Sequence, residues 1–378
     1  MSTTGVAAPT RRLMEGSEAI AEAAIAAGCR FFAGYPMTPF TELLETFARR
    51  LPEEGGVCIN AESELEAVGM AWGALAAGAR AATGSTGQGL SLMQESFSEI
   101  TLAELPLVVF NMARSQGDYF QATRGGGHGD YRHIVLAPVD INEAVELTQL
   151  AFHLADRWRN PVLVYGDYLL AHVTESVLVE PLELPALPAK EWALDGTLGG
   201  SGRSRSISPL GLGKHGHEGP GIERHLRAIA DKHTEIERAE QRVETAFTDD
   251  AETVVVAFGT PARFVRYAVQ QLRADGEKVG FVRPISLWPF PSAAVAEACA
   301  GATAVATFEL CTGQMIDDVR LAVLGAAPVV HLGGISTDGS GFGVGPLLDA
   351  EIVRDRILAL HRDGPGAELP PLPVNERG

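Results

Sequence analysis

The sequence is poor in cysteine and in lysine, and both shortages exclude kinds of site. Its 378 residues include four cysteines, and no two of them form a C-x-x-C pair. The spacing therefore gives no signature of an iron–sulfur cluster or of a zinc site, and free thiols of this kind are typical of core residues in a cytoplasmic protein. All but four of its 30 basic residues are arginines, so there are few candidates for a phosphate-binding lysine.

Positive charge and long apolar runs are also scarce. Lys plus Arg number 30 against 48 Asp plus Glu, which gives a net charge of −18. Nucleic acid and anionic lipid both require a positive field, so we expect neither as a partner. No run approaches the roughly 18 uncharged apolar residues of a membrane span, and no apolar region follows Arg11 and Arg12 as in a signal peptide. We therefore expect a cytoplasmic protein.

What the sequence does contain is an alternation of strands and helices in two stretches. Residues 1–180 and 251–378 alternate short apolar strands with amphipathic helices, which predicts two open parallel α/β sheets. The segment 181–250 differs: it holds prolines, then a Gly- and Ser-rich loop over 196–221, then a charged helix predicted over 222–245. The G-x-G-x-x-G at 211–216 follows no strand and starts no helix, so we expect a flexible loop there.

Two polar turns follow the first two predicted strands, at the edge where open α/β sheets bind ligands. The first, GYPMTP, contains Pro36 and Thr38. A ligand-binding turn and a plain turn with Thr38 or Thr41 as the helix N-cap are equally good interpretations. The second contains glutamates at 62, 64 and 66, which cannot all cap one helix. One of them, if half-buried, would suit proton exchange.

Two further segments are candidates for binding. TGSTGQG, from Thr83 to Gly89, lacks the lysine of a nucleotide-binding loop and the G-x-S-x-G of a hydrolase, but it can cradle a planar ring. Arg114 follows the long apolar strand predicted over 105–112 and could hold a carboxylate with two hydrogen bonds, although an ordinary surface arginine is favoured on sequence alone. His128 lies in a Gly-rich loop, where a functional and a solvated histidine are about equally expected.

Taken in order, these segments resemble the α-type subunit of the 2-oxoacid:ferredoxin oxidoreductases over nearly the whole chain. The segment DYFQATRGGGHGD, from 118 to 130, is most similar to the 2-oxoisovalerate and 2-oxoglutarate branches. The other matching segments are Glu15–Ala19, Gly34–Pro39, Glu64–Leu75, Thr83–Gly89, Arg283–Pro291 and Glu309–Met315.

The resemblance implies a fold and a set of site residues. Residues 1–180 would form the pyrimidine-binding domain of a thiamine diphosphate enzyme, 181–250 a linker, and 251–378 a transketolase C-terminal-like domain. Glu64 would contact N1′ of the aminopyrimidine, and Thr38 and Arg114 would orient the substrate. The cofactor's ring region would be lined by Thr83, Ser85, Gly87 and Pro36.

The resemblance also implies partners, because the chain has no G-D-G motif with a following Asn for the diphosphate. A β-type subunit would carry the diphosphate, Mg²⁺ and iron–sulfur clusters, and this chain would bind no metal. The complex would oxidatively decarboxylate a 2-oxoacid to acyl-CoA and CO₂, with coenzyme A as co-substrate and ferredoxin as electron acceptor. A γ-type subunit is a further candidate partner.

Two alternatives stay open at this point. One is a non-redox thiamine-dependent lyase or acyl-transfer subunit, and the other is a non-catalytic scaffold subunit. The sequence also departs from the family between Arg114 and Asp118, where three residues replace a longer Gly- and Pro-rich stretch. Since that loop would border the substrate, its shortening predicts a reshaped pocket.

Overall fold

The computed structural model describes residues 11–194, 210, 220–336 and 348–373. Nearly all of the Gly- and Ser-rich segment 196–221, including the G-x-G-x-x-G motif, lies outside the described residues. The strands are β1 Arg12–Glu15, β2 Phe31–Gly34, β3 Val57–Asn60, β4 Ala81–Ser85, β5 Val108–Ala113, β6 Ile134–Leu136, β7 Val162–Asp167, β8 Thr174–Val177, β9 Val243–Ala246, β10 Thr253–Ala257, β11 Val279–Pro284, β12 Ser286–Trp288, β13 Ala304–Phe308 and β14 Val329–His331. The helices are α1 Gly16–Ala26, α2 Thr41–Arg50, α3 Glu64–Ala76, α4 Gly87–Leu92, α5 Gln94–Leu102, α6 Tyr119–Arg124, α7 Ile141–Trp158, α8 Tyr168–His172, α9 Ile222–Ala239, α10 Pro261–Ala274, α11 Ser292–Cys299, α12 Met315–Val323 and α13 Ala350–Asp363.

Two mainly parallel sheets confirm the predicted α/β fold class. The first has seven strands in the order β12-β6-β7-β5-β4-β2-β3, and β12 alone runs antiparallel to its neighbour. The second has five strands in the order β14-β13-β10-β11-β9, with β9 antiparallel at one edge. A short antiparallel pair, β1 with β8, lies apart from both.

The cores form where apolar runs are longest. Every residue of β5 is buried, as expected of a central strand covered by helices on both faces. Helix α1 is rich in alanine, and its fully buried Ala19, Ala23 and Ala24 allow it to pack closely against α7. On the second sheet, α10 and α13 cover β10 and β11, and Val265, Val269 and Ile357 belong to the core there.

The two sheets share chain segments. Strand β12 follows β11 of the second sheet but adds itself to the edge of the first. Helix α9 packs back on the first sheet's helices, where His225 bonds the carbonyl of Leu102 at 2.7 Å. The two α/β units therefore form one folded body.

Three predicted elements are wrong in detail. Helix α2 begins at Thr41 with Phe40 as its N-cap, so neither Thr38 nor Thr41 caps it. The charged helix ends at Ala239 instead of Thr245, because Glu240 is buried against Arg242 and Trp158 and the chain then turns into β9. The stretch 90–103, whose sequence pattern predicts a single helix, instead forms parts of two helices, α4 and α5, which meet at Met93.

Candidate functional site

Three neighbouring parallel strands bring the predicted site residues to one edge of the first sheet. Gly34 of β2 lies opposite Gly84 of β4, and Ser85 lies opposite Asn111 of β5. The turns that follow these strands therefore leave the sheet side by side, at the carboxyl edge where α/β sheets bind ligands.

Glu64 is the first residue of α3, and its side chain is buried, with 3% of the residue exposed. The hydroxyl of Ser85 donates a hydrogen bond of 3.0 Å to Glu64 Oε1. No described residue donates a hydrogen bond to Oε2. The sequence-predicted pair of Glu64 and Ser85 is thus in direct contact, with one carboxylate oxygen left for another group.

The glycines of the 83–89 loop allow it to approach two carboxylates closely. A Cβ on Gly89 would lie 2.1 Å from Ser85 Oγ and 2.3 Å from Glu64 Oε1. A Cβ on Gly87 would lie 2.2 Å from Asp118 Oδ1. The predicted Gly87 therefore lies at the site, and its position requires the absence of a side chain.

Arg114 and Thr38 are also in contact. Arg114 Nε donates a hydrogen bond of 3.1 Å to the carbonyl oxygen of Thr38, which precedes a cis peptide bond to Pro39. Among the described residues, nothing accepts a hydrogen bond from the two terminal nitrogens of Arg114. The guanidinium is half-buried, so it can present those nitrogens to an anion as a fork.

Two of the predicted residues are placed differently. The hydroxyl of Thr83 donates a hydrogen bond of 2.8 Å to the carbonyl of Ala33, so its side chain braces β4 against β2. Pro36 is exposed beyond the end of β2. His128 is exposed as well, and its Nε2 lies 2.6 Å from Glu99 Oε1.

The structure adds polar groups whose individual roles the sequence does not reveal. Burial raises the pKa of Asp118, while a hydrogen bond from Asn111 and the charge of Arg114 oppose that rise. The amide oxygens of Asn111 and Gln121 are buried and have no partner among the described residues. Gln121 Nε2 donates to the carbonyl of Gly87 at 3.0 Å. An asparagine inside the otherwise apolar β5 was the available signal, because buried amides need partners.

The described residues contain no group of three or more His, Cys, Asp or Glu side chains arranged to hold a metal ion. Burial raises the pKa of each cysteine thiol to about 12, so these thiols are poor nucleophiles and poor ligands at neutral pH. No helix within the described ranges is both long and apolar enough to cross a bilayer.

Comparisons with known proteins agree with this geometry. Residues 22–195 match the model of the thiamine diphosphate-binding domain of pyruvate flavodoxin/ferredoxin oxidoreductases, and residues 251–339 match core domain II of pyruvate:ferredoxin oxidoreductase. Ketoisovalerate oxidoreductase subunit VorB of Methanothermobacter thermautotrophicus is 38% identical, with 82% of this chain and 89% of that protein covered. The 2-oxoglutarate synthase subunit KorA of the same organism is 35% identical, covering 84% and 92%.

Solved structures give the same result for the fold. A 2-oxoglutarate:ferredoxin oxidoreductase from Magnetococcus marinus, with 2-oxoglutarate, coenzyme A and succinyl-CoA bound, has a TM-score of 0.78 and 25% identity over 93% of this chain. The present chain spans 65% of that longer one. A split-gene transketolase, described as an inactive β4 tetramer, has a TM-score of 0.55 at 16% identity, which shows the fold alone. From its sequence relatives and the two matched domains, the chain belongs to the 2-oxoacid:ferredoxin oxidoreductase family, as an α-type subunit.

Proposed function

We propose that this chain supplies the pyrimidine side of a thiamine diphosphate site in a cytoplasmic enzyme that oxidatively decarboxylates a 2-oxoacid to acyl-CoA and CO₂ and reduces ferredoxin. The buried Glu64, held by Ser85 through one oxygen with the other unbonded within the described residues, carries the proposal. Its matched relatives act on ketoisovalerate and 2-oxoglutarate, and a structural neighbour holds coenzyme A.

The residues present fit the aminopyrimidine half of that cofactor. Glu64 Oε2 can accept a hydrogen bond from a protonated ring nitrogen, and the buried amide oxygens of Asn111 and Gln121 can accept hydrogen bonds from N–H groups. Gly87 and Gly89 leave no side chain in the way. When bound, thiamine diphosphate supplies an electron sink for the bond that breaks as CO₂ leaves.

Each residue then has a separate task. Glu64 holds a proton at the ring nitrogen, and Ser85 fixes the carboxylate in position. Arg114, anchored by its Nε on the Thr38 carbonyl, offers its terminal nitrogens to the substrate carboxylate. The turn 34–39 and the loop 115–118 border the same edge of the sheet, so they exclude water from the substrate. Pro36 would border the ring region from the turn after β2, and Thr83, whose hydroxyl bonds the carbonyl of Ala33, would act there by holding β4 beside β2.

The remaining cofactors belong to partner chains in this proposal. A β-type subunit holds the diphosphate, Mg²⁺ and the iron–sulfur clusters, and ferredoxin takes the electrons from those clusters. The names of the relatives support this division, since they are called subunits and one set is called ferredoxin oxidoreductase. A γ-type subunit is a further component in this scheme.

The test is Glu64→Gln in the complex that copurifies with the tagged chain, with Glu66→Gln as the matched control. Glu66 lies in the same helical turn but is exposed and bonded to Ser63. We expect Glu64→Gln to lower kcat for 2-oxoacid-dependent ferredoxin reduction by roughly 100-fold or more, which is the usual contribution of a positioned acid–base group. Glu66→Gln should keep kcat within about twofold, and both complexes should assemble normally.

Two other outcomes would revise the proposal. Full activity in Glu64→Gln would show that this carboxylate plays no part in the chemistry. Thiamine diphosphate without iron in the purified complex, together with 2-oxoacid turnover, would instead identify the non-redox lyase or acyl-transfer enzyme.

A further inference from the structure

A cavity lies at the opposite edge of the first sheet from Glu64. It measures about 510 Å³ and is formed by the end of α1, the last turns of α7, the residue before β4 and the segment 181–190. Strand β4 begins beside this cavity and ends at Ser85, next to Glu64. Its five residues, at about 3.3 Å each, separate the cavity from the Glu64 site by roughly 15 Å. The volume lies within the usual range of small-molecule sites.

His153 of α7 is the polar group that points to a ligand. Only 7% of the residue is exposed, and it lines the cavity. Among the described residues, neither of its ring nitrogens has a hydrogen-bond partner. Burial is the largest of the effects that lower the pKa of His153 from its ordinary value. The imidazole is therefore neutral at pH 7, and it offers one hydrogen-bond donor and one acceptor. Both are available to a molecule bound in the cavity that His153 lines.

The charges on the cavity wall leave an excess of one positive charge. Asp156 receives Arg80 Nε at 2.8 Å on one oxygen and lies 2.7 Å from Lys190 Nζ on the other. Two cations thus face one carboxylate. Arg80 also bonds the carbonyl of Ala27 through one terminal nitrogen, and its other terminal nitrogen has no partner among the described residues. This balance matches a monoanion better than a doubly charged phosphate.

The other wall is apolar and held in place. Prolines and leucines of the segment 181–190 form it, and Leu182 and Leu184 remain 40% and 36% exposed. Gln149 fixes the start of this segment by bonding the carbonyl of Glu180 and the amide of Leu182, both at 2.9 Å. The cavity is therefore a preformed space with one polar, cationic side and one apolar side.

We propose that this cavity binds a small organic monocarboxylate with an apolar body. The carboxylate bonds His153 and the unpaired nitrogen of Arg80, and the apolar body covers Leu182 and Leu184. The site is separate from the Glu64 and Arg114 edge, and the proposal does not depend on the reaction assigned to that edge.

Calorimetric titration of the full chain with hexanoate tests the proposal, with hexanamide as the uncharged probe. Because hexanoate can also enter the Arg114 edge, all titrations are run in an Arg114→Gln background. We expect one hexanoate per chain and at least tenfold weaker binding of hexanamide. Ala186→Trp, which fills the cavity from its exposed wall, should weaken hexanoate binding at least tenfold. Ala326→Trp, at an exposed site on the second unit, should leave binding unchanged.

His153→Gln checks the polar side, with circular dichroism to confirm folding. A tenfold loss of hexanoate affinity in this variant is expected. The proposal is overturned if hexanoate shows no saturable binding at millimolar concentration. It is equally overturned if Ala186→Trp binds hexanoate as well as the parent chain does, or if hexanamide binds as tightly as hexanoate.

Discussion

At the scale of single residues, the candidate site depends on what is absent from two positions. Gly87 and Gly89 let the start of α4 lie against Asp118 and Glu64, and neither could carry a methyl group without displacing a carboxylate. Neither position needs glycine for a positive φ, because both residues lie within helix α4. The requirement is one of space, so it predicts an effect on the site more than on the fold.

Gly89→Ala tests this requirement. The added Cβ would lie 2.1 Å from Ser85 Oγ and 2.3 Å from Glu64 Oε1, so one of these side chains must move. We expect a fall in kcat of roughly 100-fold, because displacing a positioned proton-transfer group by about 1 Å has a cost of that order. Gly301→Ala, where no heavy atom lies within 4 Å of the new Cβ, is the control and should keep full activity. Wild-type kcat in Gly89→Ala would show that the Ser85–Glu64 contact is not needed.

The sequence predicted part of this residue-scale picture. The strand pattern pointed to the glutamates at 62, 64 and 66, to the segment 83–89 and to Arg114, and the family resemblance selected Glu64, Ser85 and Arg114. The structure places Glu64 against Ser85 and Arg114 against Thr38. The sequence could not predict the direction of Thr83, since a strand residue next to a turn can face either the neighbouring backbone or the site. The roles of Glu64, Ser85 and Arg114 toward cofactor and substrate remain predictions.

At the scale of elements, buried histidines tie α6 and α9 to the first sheet. His133 precedes β6 and bonds the carbonyl of Ala122 in α6 at 2.6 Å. His233 of α9 packs edge-on against Trp288 of β12. Burial is the main cause that lowers the pKa of both imidazoles to about 4, from an ordinary 6.5. Both elements are therefore held in place by uncharged rings.

These shifts predict a loss of stability in mild acid. The unfolded chain binds a proton at each histidine below pH 6.5, and the folded chain resists until about pH 4, so unfolding is favoured as the pH falls through this window. Each histidine adds up to about 1.4 kcal/mol per pH unit to the slope. Urea unfolding at pH 7, 6 and 5 gives the free energy of unfolding at each pH. This free energy should fall less steeply with falling pH in His233→Gln than in the wild type. Equal slopes would mean that His233 is protonated without unfolding.

Element boundaries show where sequence patterns lose their power. Long apolar strands such as β5 were predicted well because burial on both faces leaves a continuous run. The three-residue strands β6 and β12 were not predicted, since their pairing depends on residues about 150 positions apart. The end of α9 was missed because it is set by the tertiary contacts of Glu240, which a helical periodicity cannot reveal.

At the scale of the whole molecule, one arginine joins the two α/β units. Arg283 of β11 is 4% exposed. Its terminal nitrogens bond both oxygens of Glu143 in α7 at 2.8 and 2.9 Å, and its Nε bonds Glu244 of β9 at 2.7 Å. Glu143 also accepts the backbone amide of Val139. The guanidinium of Arg283 with its two carboxylates thus links the second sheet to helix α7 on the first.

Arg283→Gln should weaken the whole fold, because it leaves the partly buried carboxylate of Glu143 without a cation and leaves Glu244 with Arg266 alone. Removing one partner of a buried ion pair costs about 3–5 kcal/mol, and we expect a drop in the free energy of unfolding near the lower end, since Glu143 and Glu244 keep 19% and 24% side-chain exposure. Arg354→Gln, which breaks an exposed pair with Asp275, should cost less than about 1 kcal/mol. Urea unfolding of both variants at pH 7 makes the comparison. If the two variants lose equal stability, Arg283 is no stronger a link than a surface pair, and other contacts between the units, such as the hydrogen bonds of Gln116 with Phe258 and Leu310, hold them together instead.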